Sequence, residues 1–223
     1  MGMILEKEFS TVEAALEELK KGGFVILSDN EDRENEGDLV ALASEATPAV
    51  IHQMLKEANG LMCVPVNTEI ANRLNLTDMV ENSTDPHQTP FTVTVDGNFE
   101  ATGVTTGVSA FDRAASINHI ADVNAQATDF NRPGHIQPLI AKPQGLRERI
   151  GHTEAGVDLA LLAGSQPAAI IIEVLGEDGH MAQRDDLFVL AEKLNIPYIT
   201  IAQIIEYMDA NNIAQAADVL AVK

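Results

Sequence analysis

Residues 24–43 have the sequence FVILSDNEDRENEGDLVALA, in which a highly acidic segment lies between two apolar runs. Its two ends, residues 24–28 and 39–43, are short apolar runs, and six of the ten residues from 29 to 38 are Asp or Glu. Apolar runs of this length, bounded by polar residues, predict two buried strands. The acidic segment between them is therefore expected to be a loop whose ends are held rigidly.

Strands and helices alternate along the remainder of the chain. Helical spacing of apolar residues predicts helices at 11–20, 47–59, 154–163, 185–194 and 202–210. Short apolar runs predict further strands at 61–66, 91–95, 168–175 and 197–201. Residues 130–151 are rich in proline and glycine and are expected to be mostly irregular. The pattern favours an α+β fold, with a mixed twisted β-sheet and helices packed on its faces, in a single three-layer domain over residues 1–223.

Composition narrows the classes of function. The chain has 14 Lys and Arg against 34 Asp and Glu, a formal net charge of −20, so its average field repels nucleic acid. No apolar run approaches the roughly 20 residues that span a bilayer. Cys63 is the only cysteine, which excludes an intrachain disulfide and suits a reducing compartment. We expect a cytoplasmic protein with no nucleic-acid or membrane partner.

The acidic loop is the most informative motif. Arg33 and Glu34 place a cation and a carboxylate side by side, as recognition of a phosphorylated, metal-bound substrate requires. A solvated charged turn is the simpler interpretation. A calcium-binding EF-hand is excluded, because Ala43 stands at the twelfth position, where such a loop needs a bidentate carboxylate. Carboxylates select hard ions, which favours Mg²⁺ or Mn²⁺.

Two further motifs place charged residues at the start of a predicted helix and inside a predicted strand. RERIGHTE, residues 147–154, leads into a predicted helix, where backbone amides and an arginine can bind phosphate, although a simple helix cap is the alternative. Glu173 lies in AAIIIEVL, residues 168–175, where both faces are apolar. This predicts a buried carboxylate suited to acid–base chemistry, whereas a Glu on the exposed face of a strand is the common case.

Three weaker candidates remain. His135 lies in the segment expected to be irregular. The small residues of TGVTTGVS, residues 102–109, permit close approach of a ligand, but a turn and helix cap explain them equally well. Cys63 in LMCVPV is better explained by core packing than by nucleophilic chemistry.

Five segments in this order carry a resemblance: DNEDRENEGDLV (29–40), TGVSAFDRA (106–114), RPGHIQPL (132–139), RERIGHTEAGVDLA (147–160) and IIEV (171–174). Over nearly the whole chain they resemble the 3,4-dihydroxy-2-butanone 4-phosphate synthase family. The resemblance implies a Mg²⁺-dependent lyase that converts ribulose 5-phosphate to 3,4-dihydroxy-2-butanone 4-phosphate and formate for riboflavin biosynthesis. It also implies two Mg²⁺ ions per site, with Mn²⁺ as an alternative, and a homodimer with sites near the subunit interface. Some members carry a fused GTP cyclohydrolase II domain, and this chain resembles the stand-alone form.

The resemblance also assigns the site residues. The implied metal ligands are Glu34 and His152. Arg149 and Thr153 are implied on the phosphate group. The residues implied at the substrate are Arg33, Asp38, Asp29, Thr106, Arg149, Gly151, His152, Thr153 and Glu173. The residues implied to be catalytic are His135, Glu173, Asp38, Glu36 and Cys63.

Two other functions stay open at this point. Another metal-dependent sugar-phosphate enzyme, an isomerase or aldolase, is compatible with the same motifs. A non-enzymatic acidic ion-binding module would bind Ca²⁺ without binding sugar phosphate, and it would leave Glu173 unexplained.

Overall fold

The computed structural model describes residues 8–30 and 32–221. Seven strands form one sheet: β1 Phe24–Ser28, β2 Gly37–Leu42, β3 Cys63–Val66, β4 Val95–Gly97, β5 Phe130–Ile140, β6 Ala169–Glu173 and β7 Tyr198–Thr200. Their order in the sheet is β4-β5-β3-β6-β2-β1-β7. The pairs β1–β7 and β3–β5 are parallel and the other neighbours are antiparallel, so the sheet is mixed.

Helices connect most of these strands. They are α1 Val12–Lys20, α2 Pro48–Ala58, α3 Thr68–Arg73, α4 Phe99–Thr102, α5 Ala110–Ala121, α6 His152–Leu162, α7 Arg184–Leu194, α8 Ile201–Ala210 and α9 Asp218–Ala221. Short 3₁₀ turns lie at Ala43–Glu45, Ala127–Asp129 and Gly145–Arg147. Thr11, Thr47 and Ser109 begin α1, α2 and α5 as N-caps, since each side chain accepts a backbone N–H of the first turn. No helix in the described part of the chain has the length and apolar composition of a membrane span.

Side chains that alternate along the strands build two cores, one on each face of the sheet. In β1, Phe24 and Ile26 enter one core, whereas Val25 and Leu27 enter the other. Helices α2, α5 and α7 cover the first face, and α1, α6 and α8 cover the second. The predicted α+β fold with helices on both faces of a mixed sheet is confirmed.

The predictions for two segments were wrong. Residues 130–140 form the longest strand, β5, although proline and glycine favoured an irregular segment. Pro138 is tolerated because it pairs with Val64 in the parallel ladder and uses its carbonyl, which accepts the N–H of Thr92 at 3.1 Å. The strand predicted at 91–95 contains only Val95 of β4, because Phe91 and Thr92 form isolated bridges to different segments.

Candidate active site

Arginine, carboxylate and histidine side chains line a cleft of about 120 Å³ at one end of β2 and β6. Its lining residues are Arg33, Glu34, Glu36, Asp38, Cys63, Thr89, Phe91, Leu139, Arg149, His152, Thr153, Ile171 and Glu173. A larger cleft of about 560 Å³ lies beside Phe188 and Glu192, but none of its described lining residues is cationic. The smaller cleft combines cations, carboxylates and a histidine, so its chemistry identifies it as the candidate site.

The sheet supplies the floor of this cleft. Asp38 on β2 lies directly opposite Glu173 on β6, and Cys63 on β3 lies opposite Ile171. Ile171 and Cys63 belong to the core under α6, so these side chains occupy one face of the sheet. Two carboxylates and a thiol therefore share the floor, with the first turn of α6 beside them.

The acidic loop folds around Asp29, which is 8% exposed. Its Oδ1 accepts the N–H of Glu36 at 3.0 Å, and its Oδ2 accepts the N–H of Glu34 at 3.1 Å and Nη1 of Arg33 at 2.9 Å. Arg33 Nη1 also donates to Glu34 Oε2 at 2.6 Å. By accepting these three hydrogen bonds, the Asp29 carboxylate holds the loop in shape.

The start of α6 has a geometry that suits an anion. Gly151 is its N-cap and offers no side-chain cap, so the first backbone amides of the helix are open to a ligand. A Cβ on Gly151 would lie 2.5 Å from Nη1 of Arg149 and 3.2 Å from Nη2 of Arg33. Two guanidinium groups therefore converge on the helix start, and Thr153 also lines the cleft there. This arrangement suits a phosphate group.

Arg149 is held by a buried carboxylate. Its Nη1 donates to Oε2 of Glu154 at 2.7 Å, and the Glu154 side chain is 0% exposed. The other oxygen of Glu154 accepts the N–H of Lys142 at 3.1 Å. Four positions along α6, Asp158 accepts the N–H of Leu146 at 2.9 Å. Two carboxylates of α6 thus fix the segment that carries Arg149.

The residues near His152 are suited to a divalent cation. Its Nδ1 lies 3.7 Å from Oε2 of Glu34, and its Nε2 lies 3.9 Å from Oδ1 of Asp38. Nε2 is buried and has no hydrogen-bond partner among the described residues, which is costly for a polar atom unless a ligand engages it. Asp29, Glu34 and His152 place ligand atoms within 4.8 Å of one another. These three side chains could hold Mg²⁺ or Mn²⁺, and Glu34 and His152 are the two of them that also line the cleft.

Burial and neighbouring charges shift the pKa values of the side chains in the cleft in different directions. Contact with His152, followed by the charge of Arg33, lowers the pKa of Glu34 to about 2. Burial raises the pKa of Asp38 to about 7; His152 opposes this rise and Glu173 adds to it. Burial alone would lower the pKa of His152, but the attraction of Asp38 and Glu34 outweighs it and raises that pKa to about 9. Burial also raises the pKa of Glu36. Asp38 can therefore exchange a proton near neutral pH, while Glu34 stays ionised.

Two residues of the floor, Glu173 and Cys63, can be compared with what the sequence predicted for them. Glu173 was expected to be buried, but it is only partly buried, because it lies at the end of β6 where the apolar run stops. Its Oε2 accepts the N–H of Leu61 at 2.8 Å. Cys63 is buried in the core, and burial raises the pKa of its thiol, with Glu173 and Asp38 adding to the rise. A neutral thiol agrees with the interpretation of Cys63 as a packing residue.

His135 and Thr106 do not line this cleft. His135 is held by Asp96, and Thr106 lies in the turn 105–107, which packs against that pair. The structure therefore gathers most of the implied residues in one cleft and places these two in a second cluster.

Sequence reasoning missed Glu154 and Asp96. Glu154 was detectable in principle, since it lies in the first turn of a helix whose residues after it are apolar or glycine except for Asp158. The position of Asp96 relative to His135 depends on a pairing between β4 and β5 that no local pattern predicted.

The chain is similar in sequence to proteins of known family. A sequence model of the 3,4-dihydroxy-2-butanone 4-phosphate synthase family matches residues 13–207. A riboflavin biosynthesis protein RibBA from Bacillus mycoides is 49% identical over 199 residues, which are 89% of this chain and 49% of that protein. The chain thus spans about half the length of the curated relatives it matches.

Solved structures are also similar. A crystal structure of 3,4-dihydroxy-2-butanone 4-phosphate synthase in complex with two magnesium ions has a TM-score of 0.86 and 35% identity, over 92% of this chain and 100% of that one. A structure of the synthase of Candida albicans has a TM-score of 0.82 and 42% identity, over 91% of this chain and 99% of the other.

Proposed function

This chain belongs to the 3,4-dihydroxy-2-butanone 4-phosphate synthase family, and we propose on that basis that it converts ribulose 5-phosphate to 3,4-dihydroxy-2-butanone 4-phosphate and formate. The product would serve riboflavin biosynthesis, the process named in its curated relatives. The observation that carries the proposal is the cleft that joins two arginines at the start of α6 to the pair Glu34 and His152. A phosphorylated sugar bridges those two subsites naturally, with its phosphate at one end and its oxygens at the other.

The reaction balances without an oxidant or reductant. A five-carbon sugar phosphate divides into a four-carbon phosphate and formate, which together contain all atoms of the substrate. The route first removes a proton next to the ketone and expels the hydroxyl group of the first carbon as water. The carbon skeleton then shifts, and a water molecule is consumed in the release of formate. Each step moves a proton next to a carbonyl or an alkoxide, so positioned acids and bases are the main requirement.

The chain's own residues account for binding and proton transfer. Arg149, Thr153 and the amides at the start of α6 hold the phosphate group. Asp38, a buried carboxyl group in the floor of the cleft, accepts and returns protons in this proposal. Glu173 lies opposite Asp38, so two carboxylates face the same end of the substrate.

Glu34 and His152 hold Mg²⁺ in this proposal, with Mn²⁺ as an alternative ion. When bound, the metal supplies electrostatic stabilisation of negative charge on substrate oxygens. We propose two ions per site, which is supported by the carboxylates gathered around His152 and by the similar structure solved with two magnesium ions.

A homodimer in the cytoplasm completes the proposal, with residues 1–223 as a single domain. Large apolar side chains stand exposed on and before α4 and α5, notably Phe99 at 70%, Phe111 at 75% and Val108 at 51%. Exposed apolar side chains of this size are commonly covered by another chain. Val108 directly follows the turn 105–107, so a second copy seated there would bring the interface near Thr106 and His135.

A formate assay tests the proposed function. Purified protein is incubated with ribulose 5-phosphate and Mg²⁺, with and without a chelator. We expect formate in equal amount to the substrate consumed, loss of the reaction with chelator, and recovery on adding Mg²⁺ back. An isomeric pentose phosphate without formate would instead indicate an isomerase, and cleavage to two shorter carbonyl compounds would indicate an aldolase.

A further inference from the structure

We propose that Asp96 is a positioning residue that fixes the orientation and tautomer of His135. The catalytic consequence rests on the proposed function, whereas the geometry stands on its own. Asp96 Oδ2 lies 2.6 Å from Nδ1 of His135, and Asp96 Oδ1 accepts the backbone N–H of His135 at 2.9 Å. Both oxygens of one carboxylate thus hold the same residue, at its ring and at its backbone.

The strand pairing explains why these two residues meet. Val95 of β4 pairs with Ile136 of β5, but the next residue, Asp96, pairs with Asn131. Residues 132–135 are therefore extra in the ladder, as in a bulge, and bulges commonly re-aim a side chain. His135 lies in this irregularity, and the side chain of Asp96 supplies the hydrogen bond that the ladder does not.

The contact decides which ring nitrogen is free. A carboxylate oxygen accepts hydrogen bonds, so the contact places a proton on Nδ1 of His135 and, in the neutral ring, leaves Nε2 as the nitrogen with a free lone pair. The carboxylate is nearly buried, with 11% of its side chain exposed, whereas the histidine side chain is 48% exposed. A histidine oriented in this way presents Nε2 as a proton acceptor, the arrangement by which carboxylates prepare histidines for general-base work.

A neighbouring turn shows that the pair belongs to a built unit. A Cβ on Gly107 would lie 2.2 Å from Oδ2 of Asp96 and 2.5 Å from Nδ1 of His135, so only glycine permits this approach. The turn is fixed by Asp112, whose carboxylate accepts the N–H groups of Thr105 at 3.0 Å and Gly107 at 3.1 Å. Thr106, whose N–H donates to Asp112 at 3.3 Å, is held in the same turn.

The test measures the tautomer and the kinetics of the same proteins. In ¹⁵N-histidine-labelled wild-type protein, the His135 resonances, assigned with His135→Gln, should show a protonated Nδ1 and an unprotonated Nε2. In Asp96→Asn the amide can donate to Nδ1, so the ring should shift toward the Nε2–H tautomer. We expect kcat to fall by at least about 10²-fold with KM for ribulose 5-phosphate nearly unchanged. Loss of a merely structural contact would lower the melting temperature without reversing the tautomer of the folded protein.

Asp129→Asn is the matched control, because Asp129 also pairs with a histidine, His119, at 2.9 Å but outside this cluster. It should leave kcat and the His135 tautomer unchanged. An Nε2–H tautomer in wild-type protein overturns the proposal even if Asp96→Asn fails to fold, and so does an Asp96→Asn protein that turns over at the parent rate. Failure of the proposed function is a separate result: wild-type protein would release no formate, while the spectra would still decide the role of Asp96.

Discussion

Asp38 on β2 and Glu173 on β6 lie directly opposite each other in an antiparallel pair, and both line the cleft beneath the start of α6. Cross-strand neighbours of this kind have closely spaced side chains, so the charge of Glu173 raises the cost of ionising Asp38. The effect is visible at Asp38, whose pKa is raised to about 7 by burial, with Glu173 adding to the rise. The sheet itself therefore builds a pair of carboxyl groups suited to proton transfer.

Glu173→Gln tests whether this pair performs chemistry. The change removes the proton-accepting group, so we expect kcat for formate release to fall by at least about 10²-fold. Folding should survive, because the amide oxygen can still accept the N–H of Leu61. Glu177→Gln, at an exposed position four residues later, is the control and should behave as wild type. Parent-rate turnover by Glu173→Gln would remove Glu173 from the mechanism.

Glu34→Gln and His152→Asn test the metal ligands. Each change should abolish turnover and weaken Mg²⁺ or Mn²⁺ binding, measured by calorimetry, because both side chains face the same position. The fold should persist, since Asp29 holds the loop through backbone N–H groups that neither change removes. Asp32→Asn, an exposed change in the same loop, should leave metal binding intact. Near-normal formate release from either ligand variant would reject the assignment.

Arg149→Ala should affect two properties that a second change separates. Loss of the phosphate contact should raise KM at least about tenfold with a smaller change in kcat. Glu154 would also lose its partner while buried, which lowers the free energy of unfolding by about 3–5 kcal/mol.

The double variant Arg149→Ala with Glu154→Gln separates the two effects. It should regain much of the stability, measured by denaturant unfolding, because no buried charge is left unpaired. It should keep the high KM. A collapsed kcat with an unchanged KM would count against the phosphate role of Arg149.

Asp158→Asn gives a stability difference that depends on pH. Burial raises the pKa of Asp158 from 3.8 to about 6, although the N–H of Leu146 opposes the rise. The carboxyl group's contribution to stability is therefore fully present below pH 3.8 and is lost as the pH rises through 6. Relative to wild type, the Asn variant should gain up to about 3 kcal/mol between pH 4 and pH 7. If the free energies of unfolding of wild type and variant differ by a constant amount over this range, Asp158 is not a buried carboxyl group with a raised pKa.

Local patterns were sufficient for the elements that carry the cleft. The buried strands around the acidic loop and the helix that follows Gly151 both follow from short apolar runs and turn chemistry. What local patterns did not predict depends on long-range pairing. β5 is a strand despite Pro133 and Pro138, because its partners β3 and β4 supply the ladder around them.

The roles of individual carboxylates could not be predicted from the sequence either. Asp29 stands with five other acidic residues in the loop, yet only the folded loop shows that it accepts hydrogen bonds from Arg33, Glu34 and Glu36. Asp96 is separated from His135 by 39 residues, and their contact exists only because β4 and β5 pair with an irregular register.

We propose that this cleft expels the fourth carbon of ribulose 5-phosphate as formate. The reaction of ribulose 5-phosphate labelled with ¹³C at that carbon, followed by ¹³C NMR with Mg²⁺ present, tests this directly. We predict that the label appears in formate and is absent from the four-carbon phosphate, and that wild-type protein with chelator, or the Glu34→Gln variant, leaves the label in the substrate. Label that stays in a phosphorylated five-carbon product, or formate that carries no label, would contradict the claim.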